Sequence, residues 1–521
     1  MASAAPTAAA AGGAQEKADL GAWLAVAAGT LGAMMATLDI SIVNSALPTI
    51  QGEIGATATE ATWIATSYLV AEIIIIPLSA WLERVLGLRT LLLIAAILFT
   101  GFSVVCGTAS TLTMMVIGRT GQGFTGGAMI PTAMTIIATR LPPSQQPIGS
   151  AAFGVTAIAG PVIGPLLGGW LTEEFSWHYA FLINVPICVI LVTLLLVGLP
   201  HRKMKPELLA DADWLGILGL ALGLGGLTVM LEEGNREQWF SSAFIVQLAA
   251  MSAFGFVLLA IGQVTSARPV IRLSLMFDRS FGSVMVMALM MGMVLYGTSF
   301  VIPQFLAAIA DYNALQAGKV VMLSGIPSMM LMPFTPLLMR YLDLRVAVAA
   351  GMLILAMSCY VETTLTAAAD GGDFVVSQVL RGTGMILAFV FLNQAAISSV
   401  PRENAGDAAG LFNAARNIGG SLALASLATI QEQRMWLHTR RIEELLQANN
   451  LAVQDHLAGM TEMLGSAEAA LRAISGTIMR EALVMTYNDL FWLLAVGTVA
   501  VTPLVLFLKP LPKGISAAPM H

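Results

Sequence analysis

Charge is scarce in this chain. Only 11% of its 521 residues are Asp, Glu, Lys or Arg, where a soluble domain carries roughly 25%. That scarcity excludes an ordinary water-soluble fold. Cysteine is nearly absent, and Cys106, Cys188 and Cys359 each stand alone in an apolar stretch, which excludes a disulfide framework. The five histidines make no metal-ligand spacing. No Gly-x4-Gly-Lys-Ser/Thr loop occurs, so the chain carries no P-loop of its own. No nucleophile–base set or metal cluster stands out, and the chain does not read as an enzyme. Work done by such a chain would draw on an ion gradient or on a partner, with no cofactor.

Apolar sequence is what the chain has in abundance. Hydrophobic residues make up 57%, and mean hydropathy is +0.81. Runs of about 20 apolar residues match the hydrocarbon thickness of a bilayer. They predict an all-α polytopic membrane protein with fourteen spans, near 22–45, 61–82, 88–108, 111–138, 147–171, 178–199, 214–232, 242–265, 281–310, 317–339, 345–367, 374–399, 405–430 and 484–508. An even number puts both termini on one side, and Lys and Arg decide which. Fifteen of them fall on the terminus side, against Arg236 and Lys319 in the opposite short loops. Both termini are therefore expected in the cytoplasm. Residues 1–20 read as a polar cytoplasmic tail and not as a signal peptide, and 511–521 as a second tail.

Two segments echo each other. Trp81-Leu82-Glu83-Arg84-Val85-Leu86-Gly87-Leu88-Arg89 is matched by Met339-Arg340-Tyr341-Leu342-Asp343-Leu344-Arg345, and Arg119-Thr120-Gly121 by Arg381-Gly382-Thr383. Paired halves of this sort build many secondary transporters, with the substrate site between them. The expected organisation is a six-helix half over 21–200, a linker with two inserted spans over 201–275, and a second six-helix half over 276–510. The second half contains an external polar segment, 431–483, with amphipathic helical character. That segment is either a solvated helical hairpin or a docking surface for an extracytoplasmic partner.

Four charges interrupt the apolar runs: Asp39, Arg119, Arg381 and Arg416. Each costs about 2.5–3.5 kcal/mol at bilayer depth on insertion scales, so each is expected to face an ion partner or a water-filled path. Asp39 is a candidate for handling a proton or a cationic substrate, the alternative being a structural hydrogen-bond anchor between helices. Arg119, Gln122, Gly123 and Gly126 share one helix face by their spacing, which makes Arg119 and Gln122 its candidate partners. Glycines at 160, 164 and 168 form a ridge that favours close helix contact, and Pro161 and Pro165 remove backbone donors there. Asn44, Glu72, Tyr296, Phe300, Gln304, Glu362, Phe391 and Asn393 are candidate substrate-cavity residues.

Together these residues resemble the major facilitator superfamily, in the 14-span drug:proton antiporter branch of EmrB/QacA-type multidrug exporters. Leu38-Asp39, Asn44 and Leu47-Pro48 resemble the first-helix signature. Arg119, Gln122 and Gly123 resemble the fourth-helix motif tied to proton transfer. Gly160-Pro161, Gly164-Pro165 and Gly168-Gly169 resemble the antiporter motif, a marker of export. Trp177 and Phe181-Leu182-Ile183-Asn184-Val185-Pro186 resemble the branch's opening of span six. The loop around Glu83, Arg84, Gly87 and Arg89 departs from the family's cytoplasmic gate, since Arg84 stands where an Asp is usual; Glu83 is the candidate replacement. The resemblance implies a proton-coupled antiporter that exports hydrophobic or amphipathic toxic compounds across a bacterial inner membrane. It also implies a tripartite efflux pump, with an EmrA-type periplasmic adaptor and a TolC-like outer-membrane channel. A dedicated exporter or importer of one metabolite or siderophore on the same fold is the alternative.

Overall fold

The computed structural model describes residues 18–201, 203–210, 212–266, 269–446 and 451–509. The expected tails fall almost wholly outside the described residues. Among the described residues, ten helical stretches are long and apolar enough to cross a membrane: α1 (Leu20–Ile54), α3 (Leu88–Gly107), α6 (His178–Gly198), α7 (Trp214–Gly234), α8 (Ala243–Thr265), α9 (Arg279–Ile309), α10 (Leu315–Tyr341), α11 (Leu344–Thr364), α12 (Val375–Ser398) and α14 (Ala467–Phe507). Four further long helices pack among them: α2 (Ala58–Leu86), α4 (Leu112–Arg140), α5 (Gln146–Glu174) and α13 (Ala405–Leu445).

Local chemistry sets the helix ends. Asp19 caps α1 by accepting from the Ala22 amide at 2.8 Å, and Gly55 ends it in the left-handed region at φ 73°. Thr57 and Glu60 form a capping box at the start of α2, which satisfies two otherwise orphaned groups. One residue, Gly87 at φ 76°, separates α2 from α3, a backbone angle that a side chain would strain. Two apolar stretches are less regular than their hydropathy suggests. α6 breaks at Ile183, just before Asn184 and Pro186. α10 is a chain of short helical pieces around Pro327, Pro333 and Pro336, because proline removes donors from the ladder.

α1 to α6 pack on one another, chiefly through α1 with α5 and α2 with α4, and α9 to α14 do the same through α9 with α13 and α11 with α12. The two groups meet where α2 and α4 touch α13 and where α5 touches α10 and α12. α7 and α8 form their own close pair through Gly219, Gly223 and Gly255, and α7 rests on α2 and α13. α13 continues past its expected boundary as far as Leu445, and the polar segment adds a helix at Leu451–Leu464 before α14 begins.

The glycine ridge is where α1 and α5 touch. A Cβ added to Gly160 would lie 2.9 Å from the Thr37 carbonyl carbon, and one on Gly168 would lie 2.7 Å from the Ile42 carbonyl oxygen. At Gly164 it would collide with the Ser41 side chain. The Thr37 hydroxyl uses this proximity to donate to the Thr156 carbonyl at 3.2 Å. Gly169 differs: nothing lies within 4 Å of its added Cβ.

At the end of the bundle that holds residues 18 and 509, the two groups are locked together. Arg84 on α2 donates to both oxygens of Asp407 on α13, at 3.1 and 3.3 Å, and to the Val270 carbonyl at 3.3 Å. Arg272 stands 3.8 Å from the same carboxylate. Thus Arg84 takes its acid from across the interface, 323 residues away. Arg89 donates to the Leu199 carbonyl at 2.9 Å and ties α3 to the end of α6. Deeper in, Phe153 stacks on Phe389 with centroids 6.0 Å apart, and Ser150 donates to Gln394 at 3.3 Å.

Two outcomes follow from these contacts. Gly160→Leu should lower the thermal midpoint of the purified protein by forcing α1 from α5, at a cost of about 1–3 kcal/mol, while Gly169→Ala should leave it unchanged. Arg84→Ala should weaken the closed terminus end by about 1 kcal/mol, a small figure because Arg84 is partly exposed. Cysteine cross-linking between α2 and α13 would read that loss, and the exchange Arg84→Asp with Asp407→Arg should restore the cross-link.

Candidate functional site

Three expected residues meet in one buried cluster. Arg119 on α4 pairs with Asp39 on α1 at 2.5 Å, with 1% and 0% of their side chains exposed. Gln122 donates to the other Asp39 oxygen at 3.0 Å and accepts from Arg119 at 3.0 Å. The helical spacing of Arg119 and Gln122 makes this shared grip possible. Two further residues complete the cluster. Asn184, placed by the break in α6, donates to Asp39 at 2.8 Å and to the Ser103 hydroxyl at 3.1 Å. Ser103 on α3 also accepts from Gln122 at 2.8 Å. Arg119 donates its Nε to the Ile64 carbonyl at 3.1 Å and lies over the Tyr68 ring at 4.3 Å. A Cβ on Gly126 would come within 2.7 Å of the Tyr68 hydroxyl, so the small residues beside Arg119 make room for that ring.

Sequence reasoning did not assign Ser103 or Asn184 to this cluster. The signal for Asn184 was its place just before Pro186 at a helix break, where a side chain can leave the helical register. Ser103 left no signal, because its partners come from α4 and α6.

A cavity of about 550 Å³ lies between the two groups of helices. Thr37, Ile40, Ser41, Asn44 and Ser45 of α1 and Pro165 of α5 form one wall. Leu295, Tyr296, Ser299, Pro303 and Gln304 of α9, with Val321 of α10, form the other. Its mouth, at Asn44, Ala307 and Asn313, is exposed. The floor holds Glu72 and Arg416, both nearly wholly buried. Glu72 Oε2 and Arg416 Nε have no hydrogen-bond partner, and no ion pair joins the two among the described residues. Arg416 rests over the Phe389 ring at 5.6 Å. The cavity thus places two opposite charges with spare bonding capacity at the bottom of a largely apolar vessel.

Of the expected cavity residues, Asn44, Glu72, Tyr296 and Gln304 line it. Phe300 packs against the apolar core instead. Phe391 and Asn393 are wholly buried within α12 contacts. Glu362 sits apart from the cavity wall, paired with Arg381 at 2.5 Å. Arg416 is a cavity residue that the sequence flagged only as an intramembrane charge. Of the antiporter glycines, Gly160, Gly164 and Gly168 seat α5 against α1, and Pro165 reaches the cavity. The gate residues Glu83, Arg84, Gly87 and Arg89 surround a separate basic recess at the terminus end, with Arg140, Lys203 and Lys205.

Residues 29–424 match the Major Facilitator Superfamily. The chain is 32% identical over 480 residues to the colistin resistance protein EmrB of Acinetobacter baumannii, covering 91% of this chain and 94% of that one. It is 30% identical over 482 residues to the multidrug export protein EmrB of Escherichia coli K12, covering 92% and 94%. It is 29% identical to the fatty acid resistance protein FarB of Neisseria gonorrhoeae, covering 94% and 96%. Among solved structures, the human organic anion transporter MFSD10 superposes with a TM-score of 0.57 at 15% identity, covering 92% of this chain and 99% of that one. The proton:xylose symporter XylE also gives 0.57, at 14% identity over 91% and 94%; at these identities the likeness speaks for the fold. Sequence match, relatives and fold agree: this chain is a multi-pass transporter of the major facilitator superfamily, of the EmrB type.

Proposed function

We propose that this protein is a proton-coupled antiporter exporting hydrophobic or amphipathic toxic compounds by alternating access. In this reading all fourteen long helices span a bacterial inner membrane, and both termini are cytoplasmic. The locked terminus end is then the cytoplasmic gate, and the cavity faces outward. The observation that carries the reading is the wholly buried Asp39 carboxylate, gripped by Arg119, Gln122 and Asn184, one residue from the cavity-lining Ile40.

A proton arriving from outside would neutralise Asp39. Arg119 would then stand buried without a counter-ion, and removing one partner of such a pair costs about 3–5 kcal/mol. That exceeds the 1–3 kcal/mol typical of coupling between sites, so protonation is enough to change the preferred arrangement of α1 and α4. α1 carries α5 with it through the glycine ridge, and α5 borders the second half. The Arg84–Asp407 lock would open, and the cavity would turn inward. Release of the proton to the cytoplasm, with substrate bound, would return it.

The cavity volume lies in the range of drug-sized sites. Its apolar walls suit a lipophilic body, and Glu72 and Arg416 suit polar groups of either sign. The far-end projection of α13, Leu451–Leu464 and the start of α14 suits a docking site for an EmrA-type adaptor, which would lead on to a TolC-like channel.

The deciding experiment uses proteoliposomes under an imposed pH gradient with a panel of unrelated lipophilic cations and weak acids. Wild type should move several of them, and Asp39→Asn should lose about tenfold or more, the equivalent of 1.4 kcal/mol in the barrier. Movement of a single compound would favour a dedicated exporter, and undiminished coupled transport by Asp39→Asn would overturn the role of Asp39. In the same assay Glu72→Gln should weaken transport of cations more than of acids, and Arg416→Met the reverse. Equal effects on both classes would remove these two residues from substrate recognition.

A further inference from the structure

The second half contains its own buried acid–base pair. Arg381 lies six residues after the start of α12, much as Arg119 lies seven after the start of α4. Arg381 pairs with Glu362, and Ser377 donates to the other Glu362 oxygen at 2.7 Å. Glu362 is 1% exposed and Arg381 6%. The two pairs differ in their surroundings. Asp39 is saturated with donors, and Arg119 uses its Nε as well. In contrast, Arg381 Nε and Nη1 and both amide atoms of Gln378 are buried with no hydrogen-bond partner. Unmet polar atoms of this kind cost about 1–3 kcal/mol each, so four together at one place call for an occupant.

The structure also provides room for one. A chamber of about 40 Å³ is walled largely by apolar side chains such as Val294, Leu355 and Met385, with Gln378, Arg381 and four hydroxyl residues as its polar lining, and Arg381 stands between it and Glu362. A water needs roughly 10–15 Å³ of such volume and two to four polar partners, so the chamber has room for water beside Gln378 and Arg381. Leu295, Ser299 and Val321 line both this chamber and the central cavity. The chamber is therefore separated from the cavity by a single layer of side chains.

We propose that Glu362, Arg381 and Gln378 form a second proton-binding site, loaded through this hydrated chamber from the central cavity. The proposal rests on the proton-antiport reading above. As Arg381, which stands between the chamber and Glu362, swings aside, a hydrated proton in the chamber gives its proton to a Glu362 oxygen, and the water is left neutral. Arg381, released from its counter-ion, turns to Gln378, one helical turn back on the same face. On return, the proton leaves by the same oxygen and the ion pair closes again. Few other ionisable groups compete. Cys359 of α11 lies against Arg381. On α14, which packs over the Glu362 turn, Arg480 donates to the Ile309 and Ala367 carbonyls and Tyr487 meets Phe305 edge-on. Asp489 is held by His438 and Arg434, and Lys319 of α10 is exposed.

The test needs no substrate, since the proton is the ligand. Infrared difference spectra of the full-length protein in lipid nanodiscs, titrated from about pH 4 to 9 to cover perturbed carboxyls, count the buried carboxyl groups that take up protons. Wild type should show an Asp39 component, lost in Asp39→Asn, and a separate Glu362 component. The double variant Glu362→Gln with Arg381→Gln, which avoids stranding a buried charge, should lose only the second. Glu362→Asp should keep it. Gln378→Leu fills the chamber without touching the ion pair, and should shift the second midpoint by about one pH unit, a tenfold change in proton affinity. Absence of a Glu362 component beside a clear Asp39 one would overturn this proposal alone, as would a midpoint unmoved by Gln378→Leu. Absence of both would overturn the proton-antiport reading with it.

Discussion

A charge held in an apolar bundle must be answered at close range, and the rest of this structure depends on how Asp39 and Arg119 answer each other. Neither reaches water. Burial of such a pair is weak support for stability, because desolvation offsets the attraction between the partners. Its effect is on conformation. Gln122, Ser103 and Asn184 add neutral hydrogen bonds, so α1, α3, α4 and α6 converge on one carboxylate. The arrangement is satisfied only while Asp39 is ionised. Any change in its charge leaves a guanidinium stranded and four helices with a reason to move.

The remaining charges follow a graded pattern. Asp407 and Arg84 pair across the two halves where one partner still meets water, which keeps that lock weak enough to open. Glu72 and Arg416, on the cavity floor, are buried yet retain unbonded atoms. Groups left in that condition are better suited to meeting a ligand than to holding a fold together, since a structural role would favour complete bonding. Saturation at Asp39, partial exposure at Arg84 and spare capacity on the cavity floor fit three different tasks.

Much of the site was legible in the sequence because membranes make its chemistry expensive. Asp39, Arg119 and Gln122 stood out as polar groups inside apolar runs, and the helical period alone put the last two on one face. The glycine ridge was legible for a similar reason, since its i+4 spacing has few uses besides close helix contact. Contacts between distant helices were not legible. Asp407 is an ordinary acid near a helix start until α2 brings Arg84 to it. Ser103 is one of many serines. Phe391 and Asn393 share a helix with Arg381 but turn into the core, and no local pattern distinguishes the faces of a helix that is apolar nearly all round. The joints of the bundle were not legible either: the break in α6 and the pieces of α10 follow from prolines whose effect depends on neighbours that can re-satisfy the backbone.

In the proposed cycle, how protonation at Asp39 would reach the far side of the cavity is a question of which contacts are stiff. α1 and α5 touch at Gly160, Gly164 and Gly168 with only the small side chains of Thr37, Ser41 and Ser45 between them, a close contact that favours movement of the pair as one body. α5 in turn presses on α10 and α12, with Phe153 against Phe389 and Ser150 against Gln394. Phe389 lies under Arg416, the cation of the cavity floor. A contiguous set of packed groups thus joins the Asp39 carboxylate to the cation of the cavity floor. Coupling through such a set requires a two-state element that both sites bias, and the interface of the two halves, locked at one end and open at the other, is the element able to serve.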